Sequence, residues 1–75
     1  MRNLNSKKAR QELSALIFQI ETALLLQNKA DLANNDEDWN YWGNVAGRHV
    51  VDLVENFGIP HYYYETQKNK ELEAA

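Results

Sequence analysis

The chain has 75 residues, which allows one small domain with a core that gives little stability by itself. It contains no cysteine, so disulfide bridges and thiolate metal sites are excluded. Hydrophobic residues make up 44% and charged residues 25%, which is typical of a globular chain. A net charge of −3 argues against general nucleic-acid binding, and one proline with three glycines argues against a fold of many strands.

The first predicted element is a long helix from about Ser6 to Ala33, with Asn5 or Ser6 as its N-cap. Apolar residues recur along it with the 3.6-residue period of an amphipathic helix. This main stripe contains Ala9, Leu13, Leu16, Ile17, Ile20 and Leu24. A second stripe, spaced by seven residues, contains Phe18, Leu25 and Leu32. Because one neighbouring helix covers one stripe, two stripes predict two neighbours.

A polar run over residues 34–38 predicts the connection to a second helix. Asn34 tolerates the left-handed conformation that ends a helix, and Asn35 or Asp36 is expected to cap the next one. Because the connection is short, we expect the two helices to form an antiparallel hairpin.

The second helix is predicted from about Glu37 to Phe57, and Gly58 followed by Pro60 ends it. Arg48 and Asp52 are four residues apart on its polar face and are expected to pair. Its apolar face contains Trp39, Trp42, Ala46, Val50, Leu53, Val54 and Phe57.

Two glycines, Gly43 and Gly47, lie inside the second helix, where each costs about 1 kcal/mol relative to alanine. They flank the apolar face of this helix. We expect them to allow the close approach of another backbone or of an aromatic ring.

The segment after Pro60 is expected to form a shorter helix, from His61 to Leu72, or an irregular segment. Three consecutive tyrosines point in three directions on a helix, so a single core cannot bury them all. These are Tyr62, Tyr63 and Tyr64. The predicted fold is therefore one all-α domain over residues 1–75, an antiparallel hairpin of two long helices with a shorter C-terminal segment. Its ends, residues 1–5 and 66–75, are expected to fray.

The N-terminal region has the outline of a signal peptide, because basic residues precede an apolar stretch from Leu13 to Leu26. However, Gln19 and Glu21 interrupt this stretch and no small-residue cleavage site follows. The stretch is also too short to span a bilayer. We therefore expect a core helix, a location in the cytoplasm and no membrane contact.

The sequence contains no phosphate-binding glycine loop, no nucleophile elbow and no His-Glu-x-x-His helix. His49 and Asp52 lie three residues apart, and we favour a boundary histidine beside a surface acid over an oriented base. His49 and His61 have no placed third ligand for a metal. The sequence therefore predicts no enzyme, no cofactor and no metal.

Basic residues are concentrated at the N-terminus, which holds four of the eight in its first ten positions. Residues 11–67 contain two basic and nine acidic residues. A basic arm of this size offers few phosphate contacts, so nucleic acid is a disfavoured partner. A nucleic-acid accessory role through this arm remains the second alternative function, and the acidic body leaves mimicry of nucleic acid open.

The apolar and aromatic residues exceed what a hairpin buries, and tyrosine and tryptophan are enriched at binding hot spots. The main prediction is therefore a non-enzymatic protein–protein interaction module, an adaptor or an inhibitor that occludes a surface, of the kind that phages and mobile elements encode. Its expected partners are an unidentified protein and a second copy, as a homodimer through the second stripe; cover by the third segment is the competing arrangement for that stripe. The interface candidates are Phe18, Leu25, Leu32, Tyr41, Gly43, Gly47, Tyr62, Tyr63 and Tyr64.

Trp39, Gly43 and Pro60 frame a helix that follows a hairpin turn. Over residues 39–60 this spacing resembles that of small phage hairpin proteins that sequester cyclic nucleotides. Those proteins are oligomers that bind anionic ligands between subunits. The resemblance implies an alternative function, an oligomeric protein that binds small nucleotide-like ligands, which the negative net charge opposes. The ligand-binding candidates are Lys29, Arg48 and His49.

Overall fold

The computed structural model describes residues 3–74, without the side chains of residues 71 and 74. Over this range it contains no strand and three helices, α1 (Lys7–Leu32), α2 (Asp36–Phe57) and α3 (Tyr63–Ala74). The two long helices pack together as a hairpin, and α3 packs against α2. The all-α prediction with a hairpin and a shorter third segment is confirmed.

The ends of α1 are set by local side-chain and backbone preferences. Ser6 Oγ accepts a hydrogen bond from the Ala9 N–H at 3.4 Å and caps the first turn. At the other end Asn34 has a φ of 55°, which lets the Asn35 N–H donate to the Ala30 carbonyl at 2.9 Å. The left-handed asparagine therefore ends α1 as the sequence predicts.

Local preferences also set both ends of α2, through a capping asparagine and a left-handed glycine. Asn35 Oδ1 accepts a hydrogen bond from the Asp38 N–H at 3.1 Å, so Asn35 is the N-cap. Gly58 has a φ of 70°, in the left-handed region that favours glycine. This conformation lets the Ile59 N–H donate to the Leu53 carbonyl at 3.3 Å, which closes the helix end.

The core lies between α1 and α2 and is small. Alanines fill the rest of the contact between the two helices, at positions 9, 23, 30 and 46, which are all buried. Val50 is fully buried and lies on the side of α2 that faces α1. The core cluster consists of Leu16, Ile20, Val50, Leu53 and Phe57.

The main stripe of α1 is rotated slightly from its predicted position. Ile17 was expected in the core but is 38% exposed, and Leu13 and Leu24 are only half-buried. The buried face follows Leu16 and Ile20, so a residue at position 17 lies about 100° around the helix from the centre of that face. The prediction that Ile17 belongs to the buried face is therefore wrong, because this residue lies at the edge of that face.

The third helix begins at Tyr63 and extends to Ala74, so the polar stretch from residue 66 to residue 74 is helical. The expectation of frayed ends over residues 1–5 and 66–75 falls in part on residues 1, 2 and 75, which lie outside the described residues. Lys68 Nζ forms an ion pair with the Glu55 carboxylate at 3.4 Å, and it also lies 5.9 Å from the centre of the Tyr64 ring. The ion pair joins α3 to α2, whereas the contact with the Tyr64 ring lies within α3.

Candidate functional site

An apolar stripe lies on the exposed surface of α1, and Phe18 at one end of it also lines a groove with Trp42 and His49 of α2. Phe18 is 69%, Leu25 55% and Leu32 78% exposed. The third segment was the competing cover for these residues, but α3 packs against α2 and leaves them open. We call Phe18, Leu25 and Leu32 the outer stripe.

Two opposite charges flank the centre of the outer stripe. Glu21 lies four residues before Leu25 and Lys29 four residues after it, and both side chains are exposed. Residues four apart on a helix are surface neighbours, so these charges lie next to Leu25 on the same side of α1. The outer stripe is therefore an apolar line with an acid and a base beside its midpoint.

Two tyrosines add exposed aromatic surface away from the outer stripe. Tyr41 is 59% exposed and meets the Trp42 ring edge-on, with the ring centres 4.8 Å apart. Tyr62 is 79% exposed and stacks on His61 at 4.7 Å. The sequence prediction that one core cannot bury the whole tyrosine run is confirmed, because Tyr62 lies on the surface.

Trp39 and Trp42, which the sequence places on the apolar face of α2, are not core residues. Trp42 is half-buried, and Trp39, in the first turn of α2, is 38% exposed. The cover over Trp39 comes from α3, where Lys70 Nζ lies 5.5 Å from the centre of the indole ring. Trp39 therefore lies at the edge of the contact between α2 and α3.

The two glycines of α2 are buried against side chains of the neighbouring helices. A Cβ atom on Gly43 would lie 2.5 Å from Gln27 Nε2 and 3.2 Å from the Tyr63 hydroxyl oxygen. A Cβ atom on Gly47 would overlap the side chain of Gln67 on α3. The close approach was predicted, but its partners are glutamine side chains and a tyrosine hydroxyl, not a backbone or the face of a ring.

Gln27 is a buried polar residue that sequence reasoning missed. It is 8% exposed, and its Nε2 donates to the Trp39 carbonyl and to the Tyr63 hydroxyl, each at 3.4 Å. These bonds link all three helices at one point. The signal was available in the spacing, because Gln27 lies seven residues after Ile20 on the same face of α1.

The remaining interface candidates on α3 are used within the fold. Tyr63 contacts Gln27, as described, and the Tyr64 hydroxyl donates to the Glu55 carboxylate at 3.2 Å. The contacts of these two tyrosines and of the two buried glycines within the fold explain their presence without a partner. The candidates left on the surface are Phe18, Leu25, Leu32, Tyr41 and Tyr62.

A groove of about 550 Å³ lies between the N-terminal half of α1 and the C-terminal half of α2. His49 and Asp52 both line it, but the Asp52 carboxylate accepts its hydrogen bond from Asn56 Nδ2. No hydrogen bond joins His49 to Asp52 in the described part of the chain, and the predicted pair of Arg48 with Asp52 is not formed there either. The groove therefore does not present an oriented base.

The ligand-binding candidates lie on the two long helices, and none of them belongs to a cluster of metal ligands among the described residues. The described side chains include no group of three or more histidine, aspartate or glutamate residues that could hold a metal ion. Lys29 is exposed in the last turn of α1, Arg48 is exposed in the middle of α2, and His49 is half-buried beside it. Lys29 therefore lies on a different helix from Arg48 and His49.

His61 connects the end of the loop to the first turn of α3. Its Nδ1 accepts a hydrogen bond from the Tyr63 N–H at 3.1 Å, which requires that this nitrogen carries no proton. Partial burial lowers the pKa of His61 below its ordinary value of 6.5, because desolvation disfavours the charged imidazolium. Both observations indicate a neutral imidazole in the folded protein.

We expect the protein to lose stability as the pH falls below about 6.5. The unfolded chain has the higher His61 pKa and binds the proton first, so acid favours unfolding until the folded form is protonated as well. His61→Asn keeps a side-chain acceptor but does not titrate. Thermal melts between about pH 7.5 and 5.5 should show a smaller decrease in Tm for this variant. An equal decrease in both proteins would contradict the role of His61.

No helix in the described part of the chain combines the length and the apolar character needed to cross a lipid bilayer. Comparison with family models, with curated proteins and with solved structures finds no match to this chain. The feature of the molecule that bears most directly on function is therefore the outer stripe of α1.

Proposed function

We propose that this protein is a non-enzymatic interaction module of the cytoplasm, an adaptor or an inhibitor that acts by covering a surface of another protein chain. The observation that carries the proposal is the exposure of the outer stripe. Its three large apolar side chains lie in one line on α1 and are between 55% and 78% exposed. Large apolar side chains aligned on one exposed face of a helix are what a partner helix covers.

The arrangement of the helices explains why this surface is open. α1 packs along α2 and meets α3 through the hydrogen bond from Gln27 to Tyr63, which lies on the same buried face. A helix that packs along one face buries a single stripe, so the second stripe needs a partner outside this fold. Leu25, at its centre, supplies the apolar anchor that such an interface requires at its middle.

Capture from a lysate of the source cells tests this function with two matched variants. Leu25→Ser removes the centre of the outer stripe, and Leu72→Ser removes a leucine on α3 that is 75% exposed. We expect wild type and Leu72→Ser to retain the same partner. Leu25→Ser should recover at least about tenfold less of this partner, the loss expected when one desolvated apolar anchor is removed. Thermal melts of the three proteins establish that all are folded.

Equal recovery of every captured protein by wild type and Leu25→Ser would contradict the proposal, because binding would then not involve the outer stripe. Loss of the partner in Leu72→Ser but not in Leu25→Ser would move the binding surface to α3.

A further inference from the structure

We infer that the outer stripe binds a second copy of this chain, with the two α1 helices antiparallel about a two-fold axis at Leu25. This inference rests on the proposed role of the outer stripe as a binding surface, and it names the partner and its orientation. A two-fold axis places the same patch of both copies in contact, so one contact covers both outer stripes. It needs no further protein, because each copy supplies the missing neighbour of the other.

The outer stripe is symmetric along the sequence about its middle residue. Phe18 lies seven residues before Leu25, and Leu32 lies seven residues after it. When Leu25 meets its own copy in an antiparallel pair, Phe18 of one protomer lies level with Leu32 of its partner. The contact then extends over about 21 Å of each helix, at 1.5 Å per residue. A spacing of seven residues keeps the three side chains in line with a second helix at a shallow crossing angle, and Thr22 and Lys29 occupy the alternate positions of that seam.

The charges beside the outer stripe distinguish the antiparallel pair from a parallel one. Glu21 and Lys29 are each four residues from Leu25, on opposite sides along the chain. In the antiparallel pair Glu21 lies level with the partner's Lys29, and the two-fold axis creates this opposite-charge pair twice. In a parallel pair in register, Glu21 lies beside a second Glu21 and Lys29 beside a second Lys29. Like charges at these flanking positions disfavour the parallel arrangement.

The charge distribution at the two ends of the hairpin disfavours the parallel orientation. Lys7, Lys8 and Arg10 are exposed at the start of α1, and the exposed acids of residues 36–38 lie at the turn that follows its other end. In the antiparallel pair the basic start of each α1 extends past the acidic turn of its partner. In a parallel pair each of these groups would lie beside its own copy and be repelled.

Sedimentation of the purified full chain tests the inference without any other protein. One helix face gives a small interface, so we expect a micromolar Kd and a dimer at about 100 µM. Leu25→Glu should sediment as a monomer, whereas Leu72→Glu, at an exposed leucine of α3, should remain dimeric. A folded wild-type monomer at this concentration would overturn the inference, and capture of another protein through Leu25 would still support the proposed function.

Charge exchange tests the orientation. In the antiparallel dimer Glu21→Lys and Lys29→Glu each turn two attractive pairs into like-charge pairs, so each should weaken dimerisation about tenfold at low salt. The double variant Glu21→Lys/Lys29→Glu restores the opposite-charge pairs and should dimerise like wild type. In a parallel dimer the single variants exchange one like-charge pair for another. Single variants with unchanged Kd, or a double variant as weak as either of them, would therefore overturn the antiparallel arrangement.

Discussion

Leu53→Ala is expected to destabilise the protein by about 2–5 kcal/mol, the usual range for a buried leucine that leaves a cavity. Leu53 is 3% exposed and belongs to the five-residue cluster that forms the core between α1 and α2. Chains of this size have few other apolar contacts to compensate, so the loss is a large fraction of the total stability. Urea unfolding at one fixed protein concentration measures it, since self-association would otherwise change the apparent stability.

Leu72→Ala is the matched control for this measurement. Leu72 is 75% exposed on α3, and substitutions at such positions usually change stability by no more than about 0.5 kcal/mol. We expect the Leu53 variant to melt roughly 10 °C or more below wild type. The Leu72 variant should melt at the same temperature as wild type. Similar effects of the two substitutions would show that the core does not lie around Leu53.

The boundaries of the long helices could be predicted because their signals are local. A capping serine at position 6, an asparagine that adopts a left-handed conformation at position 34 and a glycine at position 58 each act on the nearest turn of backbone. No knowledge of the tertiary structure is needed to interpret them. The structure places α1 and α2 within one residue of the predicted ends for this reason.

Trp39 shows where the periodic pattern becomes insufficient. Its position places it on the same face of α2 as Val50, which is fully buried, yet Trp39 is 38% exposed. The pattern gives the direction of a side chain but not the side chains that cover it. α1 still lies beside the Trp39 backbone, where Gln27 donates to the carbonyl, but the indole ring has a lysine of α3 over it.

The docking of α3 could be anticipated only in part. Gly43 and Gly47 indicated that something approaches α2 closely, because two helical glycines are otherwise unfavourable. Nothing in the polar sequence of α3 indicated that Gln67 fills the space at Gly47, since a glutamine on a short polar helix is ordinarily solvated. The exposure of the outer stripe, in contrast, followed from its spacing, because a second stripe on α1 lies away from the first. Its role as a binding surface remains a prediction.

Gly47→Leu is expected to displace α3 from α2. The added side chain would overlap Gln67, and overpacking of this kind costs about 1–3 kcal/mol. Replacing a helical glycine stabilises the helix by up to about 1 kcal/mol. Because the overpacking costs more than this, the net effect should still be a lower Tm. Amide hydrogen exchange locates the effect, because protection should decrease in α3 while α1 and the core of α2 keep theirs.

A double-mutant cycle between Gly47 and Gln67 tests whether the contact itself is responsible. In wild type, Gly47→Ala meets the Gln67 side chain, which must move away from its buried position. In the Gln67→Ala background the same space is empty, and only the gain in helix propensity remains. Gly47→Ala should therefore be destabilising or neutral in wild type and stabilising by up to about 1 kcal/mol in Gln67→Ala. An equal effect in the two backgrounds would mean that Gln67 does not limit the approach to α2, and that helix propensity alone determines the effect of position 47.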